Sequence, residues 1–561
     1  MLYFIRLLTA FTILVLQVQS VPFLSTRQSS SSTNTSNATT TIINNTLIAK
    51  IDDIRARWGV KGINVALVAS PDYIGNKTGH SQKEWSTQSI SLGSANRHNH
   101  AFEDDTLYAI GSNSKHFAAV SIGLLIANNT KLSNGQLLSL TTKVKDILPE
   151  FGLMDGYAGE NADLVDLMSM RSGLPRHDHL IGPSKTVPHL LSGLPITDGF
   201  VHENINYQTC ISAVQAFLQA GGGTNLTACA GEIKSIGWWD HTDGVRIATT
   251  GGVITTGQDM IKWLKEELSP TVLPSFIVPA TTTSWSVLTN QPAIPGITSI
   301  YSYGLGQYMY TYRGYTIHTH DGSVFGQLSH NIRIPDLGIG MVIIVNDQSY
   351  GDSMGSLVGN MILDAVLDLE PINWELKTVK GLAGLLDLTN TDSQSSTNSP
   401  LTSSNTTNST TQTRPAPDRN TIIGTYTDKA YGDWKVQPIS DLQNISTISA
   451  LNQTLTQYGL TFTDQSYFAH DDQSSFITHY VFTPSDGPLF NITPSYITPT
   501  YDENSDDASG LTAITYSPGT AVFKDNGMGL FNIWQQGNTL QPSIVVEDNI
   551  EQNAEVWFKK Q

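Results

Sequence analysis

Tyr108-Ala109-Ile110-Gly111-Ser112-Asn113-Ser114-Lys115-His116-Phe117 is the stretch that decides the fold. Ser112 and Lys115 stand three residues apart, and Phe117 to Ile126, which follows, is almost wholly apolar and ends at Asn128. The pattern predicts a strand end, a glycine hinge and a buried helix beginning near Ser112. Positions i and i+3 share a helix face, so the hydroxyl and the amine can meet. The helix start adds free backbone N–H groups and a partial positive charge beside the serine. A serine needs a base within hydrogen-bond reach to act as a nucleophile. A lysine set in an apolar wall holds its proton less firmly and can serve as that base. A bare Ser-x-x-Lys is common by chance, and most copies are solvated helix starts. Here Ile110-Gly111 in front and the apolar run behind put the serine at a strand-to-helix corner over a core.

At 561 residues the chain exceeds one domain. Hydrophobic residues make up 39% and charged residues 14%, which describes a globular chain with polar insertions. A net charge of −18 argues against nucleic-acid partners, whose phosphates need Lys and Arg. Residues 1–20 read as a secretory signal: Arg6, an apolar run from Leu7 to Val18, and a Val18-Gln19-Ser20 cleavage site. That run is too short for a comfortable membrane span, and no other stretch is long and apolar enough. The C-terminal Glu555–Gln561 is no lipid-anchor tail. Asn-x-Ser/Thr acceptors at Asn34, Asn37, Asn44, Asn76, Asn128, Asn225, Asn405, Asn408, Asn444 and Asn452, with a weaker one at Asn491, suit an exported glycoprotein. The expected location is therefore secreted and extracellular, with cell-wall or surface association left open. The only two cysteines, Cys210 and Cys229, are expected to pair in an oxidising compartment. The loop they close would be worth about 3 kcal/mol, the alternative being two separate buried thiols. No Cys/His cluster has ligand spacing, so no metal or other cofactor is expected.

Along the chain, residues 21–46 form a Ser/Thr/Asn-rich leader, 47–375 a first domain, 388–418 a second Ser/Thr/Asn-rich linker, and 421–561 a β-rich tail. Ile51–Trp58 reads as a helix. Gly62–Ala69 reads as a strand, with Ser86–Ser94 its antiparallel partner. Leu164–Met170 begins a helix that breaks at Arg171–Asp178. Residues 179–230 look loop-rich. Thr256–Asp259 is a capping box before the helix Met260–Leu264. Three strand-like runs follow at Ser302–Tyr312, Tyr315–His320 and Gly338–Asn346. Ser353–Leu369 then repeats apolar residues at helical spacing. The class is α+β with a mainly antiparallel sheet, and the tail is a separate small sandwich or barrel.

Four motifs, in order, carry a family resemblance. Ile110–Phe117 resembles the nucleophile motif of the serine β-lactamase and penicillin-binding-protein superfamily, on its class C side. Leu167–Asp178 and Gly251–Met260 are similar to segments of its secreted fungal members. His320-Asp321-Gly322-Ser323 stands where that family carries a Lys/His-x-Gly motif on a sheet edge. The resemblance implies a β-lactamase/transpeptidase-like antiparallel sheet flanked by helices, and a mechanism of acyl transfer. Ser112 would attack a small-molecule amide or ester, with Lys115 taking its proton. The backbone N–H groups of Ser112 and Ser323 would hold the oxyanion. His320 would polarise the site or face a substrate carboxylate. Read alone, His320 is a half-buried strand histidine. Gly322, two places on, lets a substrate backbone approach and favours the functional reading.

The chain departs from the family at one motif. The family's Tyr-x-Asn belongs between Asp178 and Gly251, where none occurs. His202-Glu203-Asn204 and Tyr207 are possible relay stand-ins, but a lost block near Leu194-Pro195 explains the interval better. Such a loss shortens the helical lobe, opens the cleft and leaves Lys115 better solvated. The leading expectation is a secreted serine hydrolase or acyltransferase for small esters, amides or peptides. The alternative is an impaired or silent member serving as a secreted binding or cell-surface glycoprotein.

Overall fold

The computed structural model describes residues 41–153, 155–174, 196–238, 248–385, 417–442, 445–457, 460–471, 474, 477–516, 518–533 and 550–561. The signal segment, most of the leader, Arg176-His177-Asp178, the Leu194-Pro195 junction and nearly all of the second linker lie outside the described residues. Among the described residues no helix is long and apolar enough to cross a membrane.

The first domain carries strands β1 (Gly62–Ala69), β2 (Ser86–Gly93), β3 (Tyr108–Ala109), β4 (Gly199–Glu203), β5 (Glu232–Gly237), β6 (Ile254–Thr255), β7 (Ser286–Val287), β8 (Ser302–Tyr303), β9 (Tyr308–Tyr312), β10 (Tyr315–Val324), β11 (Gln327–Ile334) and β12 (Ile339–Val345). Eight of them form one antiparallel sheet in the order β2-β1-β12-β11-β10-β9-β8-β7. Side chains alternate faces along a strand, and β12 shows the consequence. Met341, Ile343 and Val345 join one core with Ile63, Val65 and Leu67 of β1 and with Met354, Leu357, Val358 and Ile362 of the helix Gly351–Val366. Val342 and Ile344 point the other way, to Tyr108, Ile110, Met260 and Leu264. The segment leading into Ser112 therefore lies against the opposite face from that helix.

Several local expectations shift. The first helix begins at Asn45, because Asn44 Oδ1 accepts the Leu47 N–H at 2.9 Å and caps it. Thr256 caps the helix Gly257–Leu268 through the Asp259 N–H at 3.2 Å, while the Asp259 carboxylate pairs with Lys262 at 2.9 Å instead of completing the box. The run Ser302–Tyr312 splits into β8 and β9, and Tyr315–His320 continues to Val324. Strand β11 is unanticipated: all eight residues of Gln-Leu-Ser-His-Asn-Ile-Arg-Ile are buried, polar ones included. The stretch 179–230, expected to be loop-rich, contains β4 and the helix Tyr207–Ala220, and β5 follows it directly.

The tail contributes β13 (Gly424–Asp428), β14 (Gly432–Pro438), β15 (Tyr467–His470), β16 (His479–Pro484), β17 (Leu489–Tyr501), β18 (Ala508–Thr515), β19 (Gly519–Lys524), β20 (Gly527–Phe531) and β21 (Val556–Lys560). The order β16-β15-β14-β13-β21-β20-β19-β17, with β17 pairing back onto β16, closes an antiparallel barrel. A small barrel is filled by its own side chains. Here Trp434 stacks on Tyr480 with centroids 3.9 Å apart, beside Phe482, Phe490, Phe523 and Phe558. The barrel is not detached. The far half of β17 leaves it, pairs with β18, and meets β5 at Tyr501↔Ser235. Arg97 adds a tie across the same seam, to Asp198 at 2.9 Å and to Asp506 at 2.8 Å.

Cys210 and Cys229 are joined by a disulfide. It pins the first turn of the helix Tyr207–Ala220 to the short turn Thr227–Cys229. Replacing both cysteines by serine should lower stability by about 3 kcal/mol, the cost expected for a loop of this length. Urea unfolding at pH 7 measures it, and an unchanged midpoint would show that packing alone holds the loop.

Candidate active site

The corner at Ser112 is built from backbone approach. Gly111 has φ +49°, and a Cβ there would sit 2.5 Å from Ser323 N. A Cβ on Gly322 would come within 1.9 Å of Ile110 O. Only glycine allows either contact, so the turn before the helix and the edge of β10 touch main chain to main chain. Buried polar groups at this contact must find partners. The Ser329 hydroxyl donates to Ile110 O at 2.8 Å, and Asn113 Nδ2 donates to Ser329 Oγ at 2.8 Å. Ser114 Oγ donates to Gly111 O at 2.7 Å and accepts from Val253 N at 3.0 Å. Gln327 Oε1 accepts the Ala109 N–H at 2.8 Å.

From this corner runs a short 3-10 turn, Gly111–Asn113, and then the helix Ser114–Ala127. Lys115 Nζ donates to Ser112 Oγ at 2.7 Å and to Thr250 O at 3.2 Å. Both Ser112 and Lys115 are half-buried. Ser112, Lys115, Gly322 and Ser323 therefore gather at one place.

His320 occupies the same strand edge and is buried. Its Nδ1–H donates to Asp321 O at 2.5 Å, which leaves Nε2 to accept from the Tyr303 hydroxyl at 3.0 Å. Burial first, and the nearby Lys115 cation second, push its pKa down to about 4. The imidazole is therefore neutral at pH 7. Burial also raises the Tyr303 phenol well above its ordinary range, which keeps it a donor.

Next to Lys115 in the chain begins a buried charge network. His116 Nε2 contacts the Glu267 carboxylate, and Arg333 Nη1 reaches the same oxygen, Oε1, at 2.9 Å. Arg333 also bonds Gln307, whose Nε2 donates to Thr281 Oγ1 at 3.0 Å. Burial would raise the Glu267 pKa, but Arg333 and then His116 outweigh it and hold the group ionised.

The two relay stand-ins lie elsewhere. His202 spends Nδ1 on Ala230 O at 2.7 Å and Nε2 on Asp347 Oδ2 at 2.7 Å, so neither ring nitrogen is left to move a proton for Ser112. Tyr207 is an exposed first residue of its helix. Tyr303 escaped the sequence reading. Its signal was the glycine pair that follows. A Cβ on Gly304 would meet Thr281 O at 2.0 Å, and one on Gly306 would sit 2.7 Å from the Lys115 carbonyl carbon.

Residues 49–207 match the family model described as Beta-lactamase. Over these residues the chain is similar to that family. The first domain has the expected β-lactamase/transpeptidase-like antiparallel sheet flanked by helices, followed by an all-β barrel region. Two curated relatives are similar in sequence. Unguisins hydrolase ungD' of Aspergillus campestris is 22% identical over 359 residues, which is 56% of this chain and 64% of that protein. Unguisins hydrolase ungD of Aspergillus violaceofuscus is 24% identical over 332 residues, 48% and 57% respectively. The match thus spans less than two thirds of either relative. Among solved structures, the octameric penicillin-binding protein homologue from Pyrococcus abyssi covers 87% of this chain and 97% of its own at 14% identity, with a TM-score of 0.41. The class C β-lactamase from Rhodobacter sphaeroides covers 58% and 99% at 15% identity, with a TM-score of 0.35.

The depressed His320 pKa has a consequence for stability in the first domain. The fold binds this proton more weakly than the unfolded chain does. The stability carried by neutral His320 is therefore complete above the ordinary histidine pKa of about 6.5 and is lost as pH falls towards about 4. A shift of this size corresponds to at most about 3 kcal/mol. Urea unfolding at pH 7 and pH 4.5 should show a loss that shrinks in His320→Asn. An equal loss in both proteins would remove His320 as the cause.

Proposed function

We propose that the chain is a secreted serine acyl hydrolase or acyltransferase that works through an acyl-enzyme on Ser112. The observation that carries this reading is the 2.7 Å contact between Lys115 Nζ and Ser112 Oγ, at a corner abutting Ser323. Lys115, once deprotonated, takes the Ser112 proton as Oγ attacks a carbonyl carbon. The N–H groups of Ser112 and Ser323 receive the developing oxyanion. Collapse expels an amine or alcohol, which recovers the proton from Lys115. Water, or another acceptor, then releases the acyl group by the reverse path. Neutral His320, its Nδ1 held by Asp321 O and its Nε2 by the Tyr303 hydroxyl, fixes the edge of β10 beside the site without adding charge. Substrates are small esters, amides or peptides; a hydrolytic reaction is in keeping with curated relatives that are named as hydrolases. Export through residues 1–20 and glycosylation of the Asn-x-Ser/Thr acceptors belong to the same proposal, and the disulfide fits an oxidising compartment.

A second reading is a family member impaired in its proton relay. The engagement of both His202 nitrogens favours it, because that stand-in is spent.

Incubation with an activated ester or a penicillin-type probe, followed by mass analysis, separates the two. The active reading expects mass added at Ser112, absent in Ser112→Ala. Lys115→Met should slow acylation by about 10²–10⁴-fold, the usual contribution of a positioned base. No adduct at high probe concentration would leave only the impaired reading.

A further inference from the structure

Between the first domain and the barrel lies a cavity of about 330 Å³. Its walls include Trp238 at the end of β5, Phe325 in the β10–β11 turn, and Tyr496 and Tyr501 on β17. Phe325 and Tyr496 stack with centroids 4.2 Å apart. Asp198 and Arg97 also line it.

Asp198 is only 3% exposed, yet its carboxylate is half used. Arg97 N at 3.0 Å, Arg97 Nη1 at 2.9 Å and Ser235 Oγ at 3.0 Å all donate to the same oxygen, Oδ2. Among the described residues nothing donates to Oδ1. A carboxylate can accept about four hydrogen bonds, so Oδ1 has room for a further donor. The Arg97 guanidinium does not fill that role. Its remaining donors go to Asp506 Oδ1 at 2.8 Å and Ser505 O at 2.8 Å, and its flat face lies 4.8 Å from the Tyr501 ring centroid. Two carboxylates share this one arginine, and of the two it is Asp198 that lines the cavity. A carboxylate oxygen beside aromatic walls is the chemistry that holds an ammonium group, by a charged hydrogen bond and by attraction to the ring faces.

The cavity also has the right address. Phe325 is two residues beyond Ser323, roughly 7 Å at the usual strand rise, and it packs in one cluster with Ala109 and Val324. A group reaching from Ser112 along the end of β10 arrives at this wall within about two aminoacyl units. We propose that this cavity binds the free amino end of an amide or peptide substrate, with Asp198 as its anion and β17 of the barrel supplying one wall. The inference rests on the acyl-transfer reading for the position of the scissile bond. It adds that the barrel helps to choose the substrate.

The test compares phenylalanine amide, which carries an ammonium group, with N-acetylphenylalanine amide, which does not. Binding to full-length Ser112→Ala protein is measured by calorimetry at pH 7. The charged probe should bind at least tenfold more tightly. Asp198→Asn should erase that preference, and Tyr496→Leu, which spares the Arg97 and Ser235 bonds, should reduce it about fivefold. Both variants should leave the neutral probe within about twofold. Equal binding of the two probes, or a preference that survives in both variants, would overturn the proposal. Mass added at Ser112 by an activated ester, together with equal binding of the probes, sinks this inference and spares the hydrolase. The ammonium preference without any acylation does the opposite.

Discussion

Two glycines that meet across a gap too small for a methyl group hold the rest of the site in place. Gly111 and Gly322 bring the turn before the helix and the edge of β10 into main-chain contact. Main chain lacks rotamers, so the spacing it sets is rigid in a way that side-chain packing is not. The cost is a set of carbonyls shut away from water, and Ser114, Ser329 and Asn113 meet it with short side-chain donors. Once that contact exists, Ser112 cannot turn away from Ser323 without breaking several buried bonds at once. The lysine one turn later then finds its hydroxyl by helix geometry alone.

The layers below and beside the corner serve the same constraint. His116 follows Lys115 directly and is bound to Glu267 of a facing helix, whose carboxylate Arg333 of β11 also holds. Removing one member would strand a buried charge, at a cost of about 3–5 kcal/mol, so the helix cannot readily rotate about its axis. On the strand side, Tyr303 fixes the ring of His320, and burial keeps that ring neutral beside a lysine. A charged imidazole there would compete with Lys115 for the same small volume of field. The barrel is joined to this assembly by β17, one long strand with two jobs. Its first half closes a barrel packed with aromatic rings, and its second half reaches β5 and the aromatic-walled cavity.

Much of this was legible in the chain. The strand, glycine, serine and lysine order around Ser112 predicted the corner. Alternating and helical apolar runs located β1, β2, β12 and the helix Gly351–Val366. Gly322 reads in the sequence as room for a substrate backbone, whereas the main chain that approaches it is that of Ile110. Strand β11 escaped because its polar residues are buried: Ser329, Asn331 and Arg333 read as a loop until their partners are known. The hairpin β4–β5 escaped because its packing comes from β17, some 260 residues away in sequence. His202 looked free to carry a proton and is instead bound to Asp347.

By itself the sequence determined what neighbours along the chain can settle: which residues turn, which face inward on one element, and that a hydroxyl and an amine share a helix face. The tertiary structure alone decided who satisfies each buried polar group. It set Tyr303 against His320, Glu267 under His116, and half a carboxylate idle at Asp198. Periodicity records burial only while buried side chains are apolar. A buried polar side chain is stabilised by a partner from a distant segment, and no local pattern carries that information.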